Sequence, residues 1–337
     1  MSTQTLPLVV RPYGPDDRAA VAAVAALQTA ASTVDAPWEP PVTPEYWELR
    51  LRHGWDGEVP RTYLGTLPGD DRVVAAGEVG TSEWDNRHLA WLSVHVDPAH
   101  RRQGYGSTML AHLRAEAVAL GRTILGLDGW ESEATRAFAE RHGYQQKYVE
   151  AIRRQHLPSV DLDALEPAYA EALVHARDYE LVRIAGRTPP ELLDAVAAMV
   201  VAINDAPTDE LDIEDEVYPP ERVAAYETAQ EARGNRLYRV LARHRVTGEL
   251  AGHTVVAVES LRPGEAGQHD TSVLRAHRGH RLGYLLKAEM VRWLREAEPG
   301  VVHVETGNAA SNNHMIAVND ELGYELAGNI LCFQRDA

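Results

Sequence analysis

The chain has a single cysteine, Cys332, among 337 residues. One thiol cannot form an internal disulfide and cannot build a cysteine-rich zinc site, so both kinds of stabilised domain are excluded. No run of about 18 apolar residues is present, and residues 1–5 show no basic segment followed by an apolar core. We therefore expect neither a membrane span nor a signal peptide, and we expect the protein to be cytoplasmic.

Positive charge is also scarce. The sequence has 33 Lys and Arg against 50 Asp and Glu, which gives a net charge of −17. Binding to nucleic acid without sequence specificity needs a positive surface that displaces counterions from phosphates. We therefore expect no nucleic-acid partner. The net charge does not exclude a local anion site, because salt screens charges beyond about 8 Å.

An internal repeat accounts for the length of the chain. Residues 96–106 and 273–283 share Ala-His-Arg and a final glycine, at an offset of 177. A Gly-Tyr pair follows in both halves, at 143–144 and 323–324, with an offset of 180. Landmarks that recur in order at nearly one spacing indicate two copies of one domain.

Each copy is expected to contain about 160 residues. A Val-Arg pair near the start of each copy, at 10–11 and 182–183, supports this division. We predict an N-terminal domain at 1–157, a linker with a short helix at 158–178 and a C-terminal domain at 179–337.

The order of the predicted elements is typical of a mixed α/β domain. In each copy, strands come first and are followed by a helix, a strand and a further helix. In the N-terminal copy, the pattern predicts strands at 8–10, 72–79, 88–96 and 124–127, and helices at 18–29, between Gly106 and Gly121, and at 133–142. In the C-terminal copy, it predicts strands at 179–184, 237–243, 249–258 and 301–305, and helices at 190–201, 285–294 and 315–322.

The turn Arg-Arg-Gln-Gly-Tyr-Gly at 101–106 joins a predicted strand to a predicted helix. A helix N-terminus presents unpaired backbone N–H groups and partial positive charge, and glycines let phosphate oxygens approach the backbone. The turn is not a Walker loop, since no Gly-Lys-Ser/Thr follows. It is not a Gly-x-Gly-x-x-Gly fingerprint either, because Met109 stands at the third glycine. The sequence therefore predicts a cradle for a pyrophosphate.

This turn resembles the signature of the GNAT superfamily of acyl-CoA-dependent N-acyltransferases, Arg/Gln-x-x-Gly-x-Gly/Ala between a strand and a helix. Arg101, Gly104 and Gly106 match its fixed positions. In the C-terminal copy, Arg278 and Gly283 match, and Arg281 replaces the middle glycine. The chain is similar in layout to actinobacterial tandem GNAT proteins such as the mycothiol synthases. The resemblance implies two GNAT domains, each with a mixed central sheet, flanking helices and a splayed-strand cleft for acyl-CoA.

The resemblance also implies where acetyl-CoA would bind. We expect no metal, because His277 and His280, which have a spacing possible for ligands, lie among arginines that repel a cation. In the family, pantetheine fills the gap beside a bulged, splayed strand, and the loop N–H groups bind the pyrophosphate. The implied positions in the N-terminal copy are Val94, His95, Val96, Arg101, Arg102, Gln103, Gly104, Tyr105, Gly106, Ser107 and Ser132. Those in the C-terminal copy are Thr271, Val273, Arg278, Gly279, His280, Arg281, Leu282, Gly283, Tyr284, Asn312 and Asn319.

Direct acetyl transfer to an amine requires a base that removes a proton from the ammonium. The candidates are His95, which has the most suitable ordinary pKa, Glu78 on the preceding strand, and Asp270 in the C-terminal copy. His95 and Asp270 could instead be packed or solvated side chains. The tyrosine that often protonates the leaving thiolate in the family is replaced by Ala139 and Asn319.

Two segments bear on the acceptor. Residues 209–216 hold six acids in eight positions, where the family places part of the acceptor site. They either attract a cationic acceptor or form a solvated face. In the N-terminal copy, the corresponding region carries Trp38, Trp47 and Trp55, which either line an acceptor pocket or pack in the core.

The sequence thus predicts an acetyl-CoA-dependent N-acetyltransferase that acts on a small-molecule amine, without a nucleic-acid or membrane partner. The N-terminal copy is the better cofactor site because its glycine loop is intact. The alternative is a non-catalytic acyl-CoA-binding or sensing protein, which the two missing tyrosines favour. A GNAT-fold interaction module without affinity for CoA is a third interpretation.

Overall fold

The computed structural model describes residues 7–337, which form two compact units. Unit 1 takes in the described residues up to 149 together with 209–215 and 328–337, and unit 2 takes in 150–208 and 216–327. The strands are β1 (Val9–Tyr13), β2 (Arg61–Thr66), β3 (Val73–Gly80), β4 (Leu89–Val96), β5 (Ile124–Trp130), β6 (Gln145–His156), β7 (Tyr179–Ala185), β8 (Asn235–His244), β9 (Leu250–Glu259), β10 (Glu265–Val273), β11 (His303–Ala309) and β12 (Tyr324–Asp336). The helices are α1 (Arg18–Asp35), α2 (Pro44–His53), α3 (Tyr105–Ala119), α4 (Glu133–Arg141), α5 (Leu162–His175), α6 (Pro190–Val200), α7 (Pro220–Ala232), α8 (Leu282–Ala297) and α9 (Asn313–Glu321). None of the helices in this part of the chain is long and apolar enough to cross a bilayer.

The sheet of unit 1 runs in the order β1-β2-β3-β4-β5 and ends with the last residues of β12. β4 and β5 are parallel, and the other neighbours are antiparallel. Helix α3 covers one face, where Met109 and Leu113 pack against strand residues such as Leu92. Helices α1 and α2 cover the other face through a second cluster that includes Trp47. The predicted mixed α/β class is therefore confirmed.

Unit 2 repeats this arrangement with the strand order β7-β8-β9-β10-β11 followed by β6. β10 and β11 form the parallel pair, and β6 runs antiparallel to β11. Helix α8 packs on one face together with α5, and α6 and α7 pack on the other. The short helix expected in a linker at 158–178 is thus α5, which belongs to the core of unit 2 through Ala172.

Each unit is completed by a strand from the other half of the sequence. The residues Glu150–His156 of β6 follow the N-terminal copy along the chain, yet they pair with His303–Ala309 of β11 in unit 2. The residues Ile330–Asp336 of β12 pair with Ile124–Trp130 of β5 in unit 1. The units therefore differ from the contiguous domains predicted at 1–157 and 179–337.

The parallel strands of each unit separate after a few residues. In unit 1, the pairing of β4 with β5 ends at Leu92 and Leu127. In unit 2, the pairing of β10 with β11 ends at Gly267 and Glu305. Beyond these points, the backbone of β4 or β10 has an edge that faces a gap. Such an edge offers hydrogen-bonding groups to an extended ligand.

Candidate active site

A cavity of about 560 Å³ lies at the gap in unit 1. Its wall combines the end of β4, the turn before α3, the first turn of α3, the end of β5 and helix α4. Phe333, from the strand at the far end of the chain, completes it. All the predicted cofactor-binding residues of this copy line the cavity except Gln103; they are Val94, His95, Val96, Arg101, Arg102, Gly104, Tyr105, Gly106, Ser107 and Ser132.

The first turn of α3 leaves backbone N–H groups pointing out of the helix. Gly104 precedes the helix without a side-chain cap, and the first helical bond runs from the Thr108 N–H to the Gly104 carbonyl. The N–H groups of Tyr105, Gly106 and Ser107 precede that bond and therefore lack a helical acceptor. A Cβ placed on Gly106 would lie 3.4 Å from Phe138, so the protein alone does not demand glycine there. The glycine leaves room for a ligand at the positive end of the helix.

The turn has the same backbone shape in both units. Two of its residues adopt left-handed φ values, Arg102 (+65°) and Gly104 (+94°) in unit 1. The equivalents in unit 2 are Gly279 (+86°) and Arg281 (+55°). The arginine that stands at the middle glycine of the motif therefore keeps the loop conformation, at the steric cost of a side chain in this region.

The first arginine of the motif binds groups of the protein and so stabilises the turn; its charge is not free to bind a ligand. In unit 1, the guanidinium of Arg101 donates to both oxygens of Asp35, at 2.8 and 2.6 Å, and to the Val96 carbonyl at 3.2 Å. In unit 2, Arg278 donates to Asp205 at 2.6 Å and to the Val273 carbonyl at 3.1 Å. Both arginines tie the end of the splayed strand to the end of a nearby helical segment. We expected them to bind the cofactor, and their main contacts are with the protein.

The second cavity, of about 660 Å³, lies at the gap in unit 2. Its arginine Arg281 is 2.9 Å from Glu171 and 3.6 Å from Glu321, so its charge is compensated within the unit. The predicted residues His280 and Asn319 are not in the cavity wall; Asn319 is fully buried and donates to Asn308 at 2.7 Å. The predicted residues that line this cavity are Thr271, Val273, Arg278, Gly279, Arg281, Leu282, Gly283, Tyr284 and Asn312.

Ser132 and Asn312 hold the helices that close the two cavities. The Ser132 hydroxyl accepts from the Thr135 N–H at 3.0 Å, at the start of α4. The Asn312 side chain accepts from the Met315 N–H at 3.2 Å, at the start of α9. Both residues are therefore N-caps as well as cavity residues.

Of the three predicted bases, His95 lies in the wall of a cavity. Burial lowers the pKa of its imidazole, and the nearby charge of Glu78 offsets part of this effect. The ring is therefore neutral near pH 7 and able to accept a proton. Glu78 is not in the wall; it is 7% exposed, and both its oxygens accept from Arg50, at 3.1 and 2.8 Å.

Asp270 also lies outside the cavity wall. It follows a β-bulge, where the register of β10 against β9 shifts between Gln268 and Asp270. One of its oxygens is 2.8 Å from Nε2 of His253, whose Nδ1 is 2.9 Å from the guanidinium of Arg239. Asp270 is therefore the end of a largely buried polar chain, on the face opposite α8. The bulge that the family resemblance implied is present in β10, whereas the register of β4 against β3 is regular.

Asp128 is a cavity residue that the sequence did not single out. It lies on β5, one residue beyond the end of the pairing with β4. Burial raises the pKa of its carboxyl to about 6, with a further contribution from the negative charge of Glu78. The protein atoms around the cleft cause this desolvation, although the side chain itself is exposed to the cleft. The alternation of Leu125 and Leu127, which pack in the core, could have indicated that Asp128 faces the other way.

The acid-rich segment does not line the cavity of either unit. Residues 209–215 belong to unit 1. The Asp212 N–H donates to Gln334 at 2.7 Å, and the Glu214 N–H donates to Asn86 at 2.7 Å. His88, which precedes β4, is 3.4 Å from Asp212. The segment therefore lies at the end of unit 1 where β4 and β5 begin, away from the gap.

The three tryptophans expected near an acceptor have different surroundings. Trp47 is buried, and its ring N–H donates to the Tyr13 hydroxyl at 3.1 Å. Trp55 is half exposed. Trp38 packs edge-on against Trp130, with ring centroids 5.2 Å apart. Trp47 therefore packs in the core. Trp38 lies beside the end of β5, where it contacts Trp130.

Known proteins support this picture. Residues 27–144 match the model of the acetyltransferase (GNAT) family. No curated protein sequence matches the chain. Among solved structures, the chain is similar to a tandem GNAT protein from the clavulanic acid biosynthesis pathway, with 27% identity, a TM-score of 0.79 and 98% of each chain covered.

Two further structures share the fold. A GCN5-related N-acetyltransferase from Sphaerobacter thermophilus has a TM-score of 0.69 and 17% identity, with 98% of this chain and 97% of that chain covered. A putative acetyltransferase from Pyrococcus horikoshii has a TM-score of 0.57 and 15% identity, with 100% and 91% covered. The repeated strand gap, the turns before α3 and α8 and these likenesses agree: residues 27–144 match the acetyltransferase (GNAT) family, and the whole chain has the fold of a tandem GNAT protein.

Proposed function

We propose that unit 1 transfers an acetyl group from acetyl-CoA directly to the amine of a small molecule. The observation that carries this proposal is the cradle at the start of α3, where three N–H groups lack helical acceptors beside a gap in the sheet. A pyrophosphate fits such a site because its charge meets the positive end of the helix. The free edge of β4 at Val94–Val96 offers main-chain groups to pantetheine.

Electrostatics favour unit 1 over unit 2 as the acetyl-CoA site. Arg102 is exposed at the turn of unit 1, and within residues 7–337 it forms no ion pair. The turn of unit 2 also has an arginine with a left-handed φ, Arg281. Its positive charge is compensated by Glu171 and Glu321. A phosphate group therefore meets more uncompensated positive charge in unit 1.

The reaction needs a base for the ammonium and a stable leaving thiolate. His95 is neutral and lies in the cavity wall, so it is suited to accept a proton. The position of the frequent family tyrosine is Ala139, which is fully buried. A thiol has an ordinary pKa of about 8.5, so its anion can leave without an acid. The missing tyrosine is therefore compatible with transfer.

A matched pair of substitutions tests the cofactor site. Gly106→Glu places a carboxylate in the cradle of unit 1, and Gly283→Glu places one at the equivalent position of unit 2, where a Cβ meets nothing within 4 Å. Calorimetry with acetyl-CoA should show affinity lost by at least about 100-fold in Gly106→Glu, because the carboxylate repels the pyrophosphate. Gly283→Glu should bind as the wild type does. Unchanged binding by Gly106→Glu would refute the assignment to unit 1.

Thiol release from acetyl-CoA across a panel of amines tests the chemistry. An acetyltransferase releases free thiol at a rate that depends on the amine. A protein that only senses acyl-CoA would bind acetyl-CoA and release no thiol with any amine, which is the outcome that would contradict transfer.

A further inference from the structure

The residues around the gap of unit 1 alternate between the two faces of the sheet. Leu92 and Leu127 pack on the α3 side, so their neighbours along each strand face α1 and α2. A Cβ built on Gly126 would lie 2.3 Å from the Trp91 ring. Trp91 and Gly126 therefore face the same side of the sheet, as the alternation requires. Asp128 is the next residue on this second face of β5, and it is the first beyond the paired part of the strand.

Asp128 is a carboxylate without a cationic partner. Among residues 7–337, no side chain donates a hydrogen bond to it and no Lys, Arg or His forms an ion pair with it; its own N–H is the one group that lowers its pKa. Glu78, the acidic side chain whose charge acts on Asp128, is already paired with both nitrogens of Arg50. Asp128 therefore presents a carboxylate to the cavity with no cationic side chain of the described protein paired to it.

The other groups near this carboxyl do not compete for that role. Glu78 approaches from β3 and is held by Arg50 of α2. His95 from β4 is neutral, because burial lowers its pKa. Cys332 of β12 is the residue directly opposite Asp128 in the register. Asp128 is thus the carboxylate that can receive a cation at the point where the strands part.

We propose that Asp128 binds the acceptor amine as its ammonium ion and takes the proton that must leave before attack. This inference rests on the proposed transfer in unit 1. One N–H bond of the ammonium breaks, and its proton passes to the Asp128 carboxylate. The nitrogen lone pair then forms the C–N bond with the thioester carbon as the C–S bond breaks. The nitrogen then loses a second proton to the neutral imidazole of His95, CoA departs as its thiolate, and both protons pass on to solvent.

The same face indicates what the amine carries. Gly126, Asp128 and Trp130 follow one another on this side of β5, and Trp38 packs against the Trp130 ring. Both indoles lie over Gly328, where a Cβ would be 2.8 Å from the Trp38 ring and 3.3 Å from the Trp130 ring. Partly exposed indole surface next to a carboxylate suits a primary ammonium with an apolar substituent. We therefore assign the acceptor to apolar primary amines rather than to hydrophilic polyamines.

The test compares Asp128→Asn with Asp71→Asn, the same change at an exposed turn of unit 1. The substrates are 2-phenylethylamine, n-hexylamine and spermidine, and the readout is thiol release from acetyl-CoA with the full chain. We expect kcat/KM for the two apolar amines to fall by at least about 100-fold in Asp128→Asn. Acetyl-CoA affinity and melting temperature should not change, and Asp71→Asn should behave as the wild type.

A change of pH separates proton transfer from a structural role. At pH 10 more of the amine is already neutral, so the deficit of Asp128→Asn should shrink to less than about tenfold. Full activity of Asp128→Asn, a deficit that does not change with pH, or a preference for spermidine would overturn the inference. Absence of transfer to any amine by the wild type, with acetyl-CoA still bound, would instead refute the proposed function.

Discussion

Asp128 holds its position at the strand gap because β12 pairs with the end of β5. The turn at 101–106 could be predicted from the sequence, because its arginines supply positive charge and its glycines let an anion approach the backbone. Asp128 was missed because the apolar pattern marks the predicted strand as ending at Leu127, whereas β5 continues to Trp130. The extra residues have little apolar character, and they stay extended because β12 pairs with them. Tertiary pairing, which a local pattern does not contain, decided that position.

Lys287 is a residue whose burial should be measurable as pH-dependent stability. It is 2% exposed in the core of unit 2, 4.6 Å from the Tyr324 ring centroid, and it stands where the first copy has the core residue Leu110. Burial lowers the pKa of its amine from 10.5 to about 7. The unfolded chain therefore binds one more proton than the folded chain between these pH values. The free energy of unfolding should rise with pH across this window, by up to about 1.4 kcal/mol per pH unit.

Lys287→Leu should remove that slope and stabilise unit 2 at pH 7. Urea unfolding at pH 7, 8 and 9, followed by hydrogen exchange at unit 2 amides, would measure both effects. Tyr169→Phe offers no comparable gain, since its hydroxyl donates to Glu289 at the partly buried edge of unit 2. A slope that persists in Lys287→Leu would mean that another group is titrating.

At the scale of elements, strongly patterned segments were predicted and weakly patterned ones were not. The hairpin of β8 and β9 across Thr247-Gly248 is present, as are both helices that follow the glycine turns. Helix α2 was missed because Trp47 and Leu51 are its only buried residues. The end of strand β10 was expected from the family resemblance, which implies a splayed strand at 271–273, and its local pattern gives little signal because the sequence, EAGQHDTSV, is mostly polar. It is a strand because β9 and β11 pair with its two sides.

Substitutions at Arg102, in the turn before α3, separate the effect of backbone strain on stability from the effect of charge on acetyl-CoA binding. Arg102 has a φ of +65°, which costs a non-glycine residue about 1 kcal/mol. Arg102→Gly should therefore raise the free energy of unfolding by about 0.5–1 kcal/mol, while Arg102→Ala should not. Both should weaken acetyl-CoA binding by about fivefold, since both remove a cation worth about 1 kcal/mol to a phosphate. Equal affinity for wild type and Arg102→Ala would show that this side chain does not meet the cofactor.

At the scale of the whole molecule, the repeat correctly indicated two copies of one fold, but not how the chain is divided between the units. A repeat records which residues correspond, and it says nothing of which strand pairs with which. The last strand of each copy has similar neighbours available in either unit. A single sequence therefore does not predict that residues 150–156 pair with β11 of unit 2 and residues 330–336 pair with β5 of unit 1.

Removal of residues 328–337 should abolish the cofactor site of unit 1, although these residues are more than 220 positions away from the glycine turn. The deletion takes the partner strand from β5 and removes Phe333, which packs in the core and lines the cavity. We expect no acetyl-CoA binding by calorimetry and rapid proteolysis within residues 7–149. A shorter deletion, of Ala337 alone, serves as the control. A fragment 1–157 that binds acetyl-CoA as tightly as the full chain would contradict this account.

The exchanged strand also fixes when unit 1 can fold during synthesis. A ribosome adds about 5–20 residues per second, and N-terminal domains generally fold before the rest has been made. Here the first half leaves the ribosome with the β5 edge open, and it must wait for the final ten residues before its sheet can close. Synthesis of residues 328–337, rather than completion of the first copy, is therefore the event that allows this half to fold. A message cut short before residue 328 would yield no working first unit.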